Sequence, residues 1–421
     1  MAINHHDTRS ERKLVPSSKT FPLPIRVLNA VGGATQAKRL RRFRLEESAL
    51  KEAAVRETGL SDFGDAHFEE GLQVLLASLE RDASLHFFGQ VLMRQTIVRN
   101  LSNRLLLVDA QKRQPEVFSA PLTPPLIVLG LPRSGTTHLH RLLAQDPDHH
   151  APPYWELVRP LAQPGKPDNR REDMLEDVAT LKRLVPALDR IHFTAADIPE
   201  ECIHLTANSF ESPRFHVFAP LYGYAAWYLA QDHIQKYREY RAWLQVLQAA
   251  TPGKRLVLKS PEHTGGLAAL LQAVPEVQLV QTYRDPATSY ASLNSLTATT
   301  QVIASKRRDP LRMAETNLQF FAGEMVRNIV ARAANPRRVY DVFYNDLITD
   351  PKGAVEGVYR HYGLSMSDAY RIELSAYIND NPRAKHGVHH YTPGDFGVSA
   401  EQVHERLAPY REHFNLETAY D

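Results

Sequence analysis

Arg133, Ser134, Gly135, Thr136 and Thr137 stand together in G-L-P-R-S-G-T-T, residues 130–137, directly after the apolar run Leu126–Leu129. Small and hydroxylated residues between two glycines let successive backbone N–H groups turn into one concavity. A helix beginning there adds its first N–H groups and the positive end of its dipole. The chemistry such a loop supports is oxyanion binding, with Arg133 as the cation. The nucleotide-hydrolysing pattern G-x-x-x-x-G-K-[ST] shares Gly130 and Gly135, but Thr136 occupies the place of its lysine. A second cation, Arg284, lies some 150 residues downstream in T-Y-R-D-P-A-T-S-Y-A-S-L. Ser292 follows it by eight residues, two turns into the helix that Asp285-Pro286 would start. An arginine and a serine so placed can share one phosphate, the arginine by charge and paired donors, the serine by its hydroxyl. Ser289 competes for the serine role.

Three further groups could act on a reacting centre. Lys259 ends the run R-L-V-L-K, and the carboxyl ends of such strands are where open α/β sheets bind ligands. Glu156 follows Tyr154-Trp155, where desolvation would raise its pKa and suit it to base function. His263, in K-S-P-E-H, is the other base candidate, and Glu156 is placed slightly ahead of it. His138 and His140 follow the loop directly, as acceptor-facing groups or as ordinary helix surface. Glu200-Glu201 reads as a helix cap.

The elements that must position these groups alternate. Leu126–Leu129, Arg255–Leu258, Val277–Tyr283 and Val339–Phe343 read as buried strands, with helical periodicity between them. Asp285-Pro286, Asp309-Pro310 and Asp350-Pro351 each read as a helix start, Asp as N-cap and Pro in the first turn. Thr264 would cap a helix carrying Leu267, Leu270, Leu271 and Val274. The fold class is α/β, a central, mostly parallel sheet flanked by helices. Residues 1 to about 25 read as a polar arm. From about Ala34 to Val108 the pattern is helical, with Phe68, Leu72, Leu75, Leu76 and Leu79 at three- and four-residue steps. We divide the chain into an N-terminal arm and helical region, 1–120, and an α/β domain, 121–421.

Composition narrows the function. The chain has 421 residues, 43% hydrophobic and 23% charged, so it can bury a sizeable core. A net charge of +2 gives no reason to expect nucleic-acid binding. The single cysteine, Cys202, excludes an intrachain disulfide and a cysteine-rich metal site. No apolar run reaches a membrane span, and the N-terminus has no apolar signal core, so a cytoplasmic enzyme is the expectation.

With both anion motifs in this order, the chain resembles sulfotransferases that use 3′-phosphoadenosine 5′-phosphosulfate (PAPS). P-R-S-G-T-T resembles their 5′-phosphosulfate loop, and Arg284 with Ser292 resembles their 3′-phosphate pair. F-Y-N-D-L-I-T-D-P resembles their strand-end segment, which implies Tyr344 beside the adenine. Lys385-His386-Gly387 and Gly394-Asp395-Phe396 loosely resemble the segment that closes over the 3′-phosphate, although the leading Arg-Lys is Lys-His and the spacing is longer. The similarity covers roughly residues 125–400 and is greatest to the longer bacterial enzymes with a helical N-terminal extension. It implies a P-loop-like sulfotransferase fold, PAPS as co-substrate and no metal. Pro261 stands where the cytosolic relatives carry the histidine base of K-T-H. The implied reaction moves a sulfuryl group to a hydroxyl of a small or lipophilic acceptor: a phenol, a sterol-like or polyketide alcohol, or a lipid. The aromatic stretch Phe215–Tyr228 would supply the apolar wall, or else be core. Peripheral membrane contact and a homo-oligomer are compatible with this reading. The alternatives are a nucleotide kinase or NTPase on the same fold, and a non-catalytic nucleotide-binding protein.

Overall fold

A computed structural model describes residues 23–34, 43–184, 194–381 and 392–416. Lys385, His386 and Gly387 lie outside the described residues. Five strands form one parallel sheet: β1 (Leu126–Gly130), β2 (His149–His150), β3 (Arg255–Lys259), β4 (Gln278–Tyr283) and β5 (Val339–Phe343), in the order β2-β3-β1-β4-β5. β1 is central and buried along its whole length, as a strand covered by helices on both faces must be. The loop that follows it therefore emerges at the middle of the sheet's carboxyl edge, beside the point where strand order reverses. The two-residue β2 was not expected from the sequence. It is too short to carry a pattern, and its pairing with Arg255 and Leu256 of β3 defines it.

The helices bearing on the site are α1 (Leu23–Ala34), α2 (Glu47–Thr58), α3 (His67–Arg81), α4 (Phe87–Arg113), α5 (Thr136–Leu143), α6 (Ile234–Ala250), α7 (Pro286–Ala304), α8 (Pro310–Ala334) and α9 (Pro351–Tyr362). The three Asp-Pro starts form as expected. Asp285 accepts from Thr288 N at 2.7 Å, Asp309 from Arg312 N at 3.0 Å, and Asp350 from Gly353 N at 2.8 Å. Thr264 does not cap the helix Leu267–Ala273, which starts after Gly266. Its hydroxyl instead accepts from Gly130 N at 3.0 Å, tying the end of β1 to the segment after β3.

Phe68, Leu72, Leu75 and Leu79 of α3 are buried with Ile97 and Leu101 of α4 in one cluster. Phe210, Phe215, Tyr224 and Tyr228 complete that cluster. Much of the aromatic stretch Phe215–Tyr228 is therefore core between the N-terminal helices and the rest of the chain. α1 begins at Leu23, inside the stretch read as a polar arm, and buries Ile25 against Phe88 of α4 and Ile303 of α7.

Candidate active site

Three left-handed residues shape the loop after β1: Gly130 (φ 138°), Arg133 (φ 68°) and Gly135 (φ 98°). A Cβ on Gly130 would lie 2.4 Å from Thr282 O, so the strands could not approach so closely with any larger residue. Ser134 is fully buried. Its hydroxyl donates to Leu131 O at 2.6 Å and lies 2.6 Å from Thr282 Oγ1. That hydroxyl shapes the loop from inside. The side chain of Arg133 is exposed, and Thr137 is exposed at the start of α5. No side chain caps α5, so its first N–H groups are left for an anion.

The second motif arrives beside the first. Arg284 follows β4 and donates to Arg133 O at 3.1 Å. Its guanidinium stacks 3.9 Å from the centre of the Tyr344 ring. Tyr344, at the end of β5, also borders Gly135: a Cβ there would meet Tyr344 Cδ2 at 3.3 Å and Leu347 Cδ2 at 2.8 Å. Arg133, Gly135, Arg284 and Tyr344 thus form one cluster at the carboxyl ends of β1, β4 and β5. Ser292 lies half-buried on α7, with no hydrogen-bond partner among the described residues. Ser289 is fully buried, with no partner for its hydroxyl among the described residues. In the C-terminal segment, Phe396 is buried in the cluster that holds Leu131 and Tyr290. The turn Pro393–Phe396 is closed by a reciprocal cap between Thr392 and Asp395.

A cavity of about 340 Å³ opens beside the loop. Leu131 and Pro132 border it from the loop, and Pro261, Glu262 and Thr264 from the turn after β3. Leu92, Leu181, Val217, Phe218, Leu293 and Phe320 give it an apolar wall. Leu92 belongs to α4, so the N-terminal helices contribute directly to the cavity.

Neither sequence-derived base candidate lies on that wall. Glu156 is buried and bonded to His150 Nε2 at 2.8 Å. His263 is fully buried, its Nδ1 2.9 Å from Tyr237 Oη and its Nε2 3.1 Å from Cys202 Sγ. Burial, and then the charge of Lys236, push its pKa down to about 3. His140 is likewise interior, with Nε2 3.1 Å from Val257 O, and burial holds it at about 3. Lys259 is buried and does not line the cavity; its Nζ is 2.7 Å from Oε1 of Glu201, which does. Glu201 and Glu200 line the cavity rather than capping a helix.

The cavity instead presents Glu262 and Glu324. Ser260 caps the single turn Pro261–His263, directing Glu262 to the cavity and the neighbouring His263 inward. The Glu262 carboxylate accepts from the hydroxyls of Thr206 and Ser212. Burial pushes its pKa up to about 7, against the opposing pull of Lys236. Burial also lifts Glu324 to about 7, and its Oε1 is buried without a hydrogen-bond partner among the described residues. A glutamate poised near neutrality can take a proton from an alcohol. The signal available in the sequence was position alone: Glu262 lies between the two residues already singled out in K-S-P-E-H. Glu324 comes from the middle of α8, where no local pattern marks it. Among the described residues, no group of three or more His, Cys, Asp or Glu side chains could hold a metal ion.

Residues 124–368 match the sulfotransferase family. The omega-hydroxy-beta-dihydromenaquinone-9 sulfotransferase Stf3 of Mycobacterium bovis is 24% identical over 300 residues, which are 68% of this chain and 75% of that protein. The crystal structure of sulfotransferase STF1 from Mycobacterium tuberculosis H37Rv superposes with a TM-score of 0.76 at 32% identity, over 86% of this chain and 98% of that one. Sulfotransferase STF9 from Mycobacterium avium gives a TM-score of 0.81 at 24% identity, over 89% and 98% respectively.

Proposed function

From the premise that the chain belongs to the sulfotransferase family, we propose that it moves a sulfuryl group from PAPS to a hydroxyl of a lipophilic acceptor, releasing adenosine 3′,5′-bisphosphate. The observation that carries this reading is the convergence of Arg133, Gly135, Arg284 and Tyr344 beside an apolar cavity holding a buried glutamate. The residues present fit the donor. The uncapped start of α5 and Arg133 would hold its 5′ phosphosulfate. Arg284 and Ser292 would hold the 3′-phosphate, with Tyr344 beside the adenine. PAPS would supply the activated sulfuryl group.

Glu262, rather than Glu156 or His263, is the base in this reading. Its carboxylate would take the proton as the acceptor oxygen becomes the nucleophile. Lys259 would offer positive charge where negative charge develops, which requires it to loosen from Glu201. The apolar wall would bind the body of the acceptor and keep water from competing with it. Stf3, by its name, acts on a hydroxylated menaquinone derivative, a lipophilic alcohol of the same general kind.

Calorimetric titration with adenosine 3′,5′-bisphosphate, without metal, tests the donor site, with ATP and Mg²⁺ run in parallel. Binding of the bisphosphate that is lost in Arg284→Ala supports the reading. Preference for ATP with Mg²⁺ would move it to a kinase or NTPase. For the base, Glu262→Gln is expected to lower single-turnover sulfation by ~10²–10⁴-fold with bisphosphate affinity retained. The wild-type rate should rise with pH through about 7, because only the deprotonated carboxylate accepts a proton. That limb belongs to Glu262 and Glu324 together, since each feels burial in the same cavity. A Glu262→Gln variant of full rate would remove Glu262 from the base role.

A further inference from the structure

Arg214 lines the cavity, at the start of the short helix Arg214–Phe218. Among the described residues its guanidinium has no hydrogen-bond or ion-pair partner. The cavity's carboxylates do not answer it: burial depresses its pKa, and Tyr154 is the one side chain that opposes the shift. Arg99, from α4, lies outside the cavity lining but feels the charge of Arg214. Burial lowers it to about 10, and the next largest influence is the like charge of Arg214. Arg99 also has no partner among the described residues, and it borders a second, polar cavity of about 260 Å³ with Arg159 and Arg170. Asp177, the nearest acidic influence on it, is already held by Arg159 at 2.9 Å. Arg159 Nη1 is itself buried without a partner among the described residues.

Two desolvated cations that feel each other's charge, with no counter-ion among the described residues, are costly unless an anion joins them. The described cavity wall thus carries Arg214 as well as the carboxylates Glu200, Glu201, Glu262 and Glu324, among apolar side chains. We infer that Arg214, backed by Arg99, binds an anionic group on the acceptor, a carboxylate or a phosphate monoester. The acceptor hydroxyl is then oriented towards the wall's carboxylates. This rests on the cavity being the acceptor site, as proposed above, and narrows the acceptor to lipophilic hydroxy-anions. A planar guanidinium suits either anion through paired N–H donors.

The test is calorimetric titration of the full chain with dodecanoate, dodecyl phosphate and dodecanol. Saturating adenosine 3′,5′-bisphosphate is present throughout, so that the loop after β1 is filled. At least one of the two anions is expected to bind tenfold or more tightly than dodecanol, and the two titrations distinguish carboxylate from phosphate. Arg214→Gln should erase that preference, Arg99→Gln should weaken it, and Arg214→Lys should keep part of it. The melting temperature of Arg214→Gln should equal or exceed the wild-type value, because a desolvated charge is removed and no hydrogen bond or ion pair among the described residues is lost. Equal binding of dodecanol, a preference that survives Arg214→Gln, no binding of any of the three, or a Gln variant that fails to fold would each overturn the inference. If the bisphosphate binds but the anions show no advantage, this inference alone falls. If the bisphosphate does not bind, the sulfuryl-transfer reading falls, and the anion preference is judged by itself.

Discussion

Gly135 concentrates the demands of the anion loop in one residue. Its φ of 98° is a conformation that L side chains rarely adopt, and its missing Cβ leaves room for Tyr344 and Leu347. Gly135→Ala meets both penalties. The backbone term alone costs about 1–2 kcal/mol, and the methyl group must also displace the ring on which Arg284 stacks. The variant should melt lower and bind adenosine 3′,5′-bisphosphate at least tenfold more weakly by calorimetry. Unchanged affinity would mean that the Tyr344–Arg284 stack does not depend on the loop. At this scale the sequence was legible where residue type reports backbone shape. The two glycines, Arg133 and the Arg284 segment all converge in the structure. It was silent where function depends on which way a buried group faces. Glu156 beside two aromatics is buried as read, but it bonds His150 and does not line the cavity. His263 looked catalytic, yet both ring nitrogens face interior groups. Nothing in P-E-H says which of Glu262 and His263 turns to the cavity. That is decided by one short turn and the elements packed behind it.

The Asp-Pro starts show why element boundaries were easier to read than side-chain roles. An aspartate cap and a proline in the first turn act within four residues, so a local sequence suffices. Asp285 does more than cap α7. It also bonds His404 Nε2 at 2.6 Å, fastening the helix Ala400–Arg406 next to the residue that follows β4. Asp285→Ala should destabilise the protein by ~1–3 kcal/mol, from a lost cap and a lost charge-assisted bond. It should also weaken bisphosphate binding, because Arg284 is its neighbour. Asp285→Asn, which can still cap, should recover most of the stability in a denaturant titration. If Asp285→Ala melts like wild type, neither contact contributes. Non-local features were correspondingly hidden. β2 exists through its pairing with β3. Thr264 serves Gly130, 134 positions away in the chain, and not the helix that follows it.

At the scale of the whole molecule, the N-terminal helices and the sheet-bearing part share their interior. Leu72, Leu75, Ile97 and Leu101 pack with Phe210, Phe215, Tyr224 and Tyr228 in one cluster. Polar contacts cross the same boundary. Asn100 Nδ2 donates to Ala207 O at 3.0 Å, and Asn103 Nδ2 to Val158 O at 3.0 Å. Arg104 of α4 makes a buried ion pair with Glu239 of α6. Residues 121–421 without the N-terminal helices would expose that aromatic face to water and take from Glu239 its Arg104 partner. Each large apolar side chain so uncovered costs about 1.5–3 kcal/mol, and several together are a large share of the 5–15 kcal/mol that ordinarily holds a folded chain together. Residues 121–421 produced alone should therefore lack a cooperative melt and bind a hydrophobic dye that the full chain does not. A sharp melt together with bisphosphate binding would instead show that the sheet-bearing part stands alone, and that the boundary read from composition is a true domain boundary. The shared interior also bears on the proposed function. α4 supplies Leu92 to the wall of the cavity proposed to take the acceptor, and Arg99 feels the charge of Arg214 on that wall.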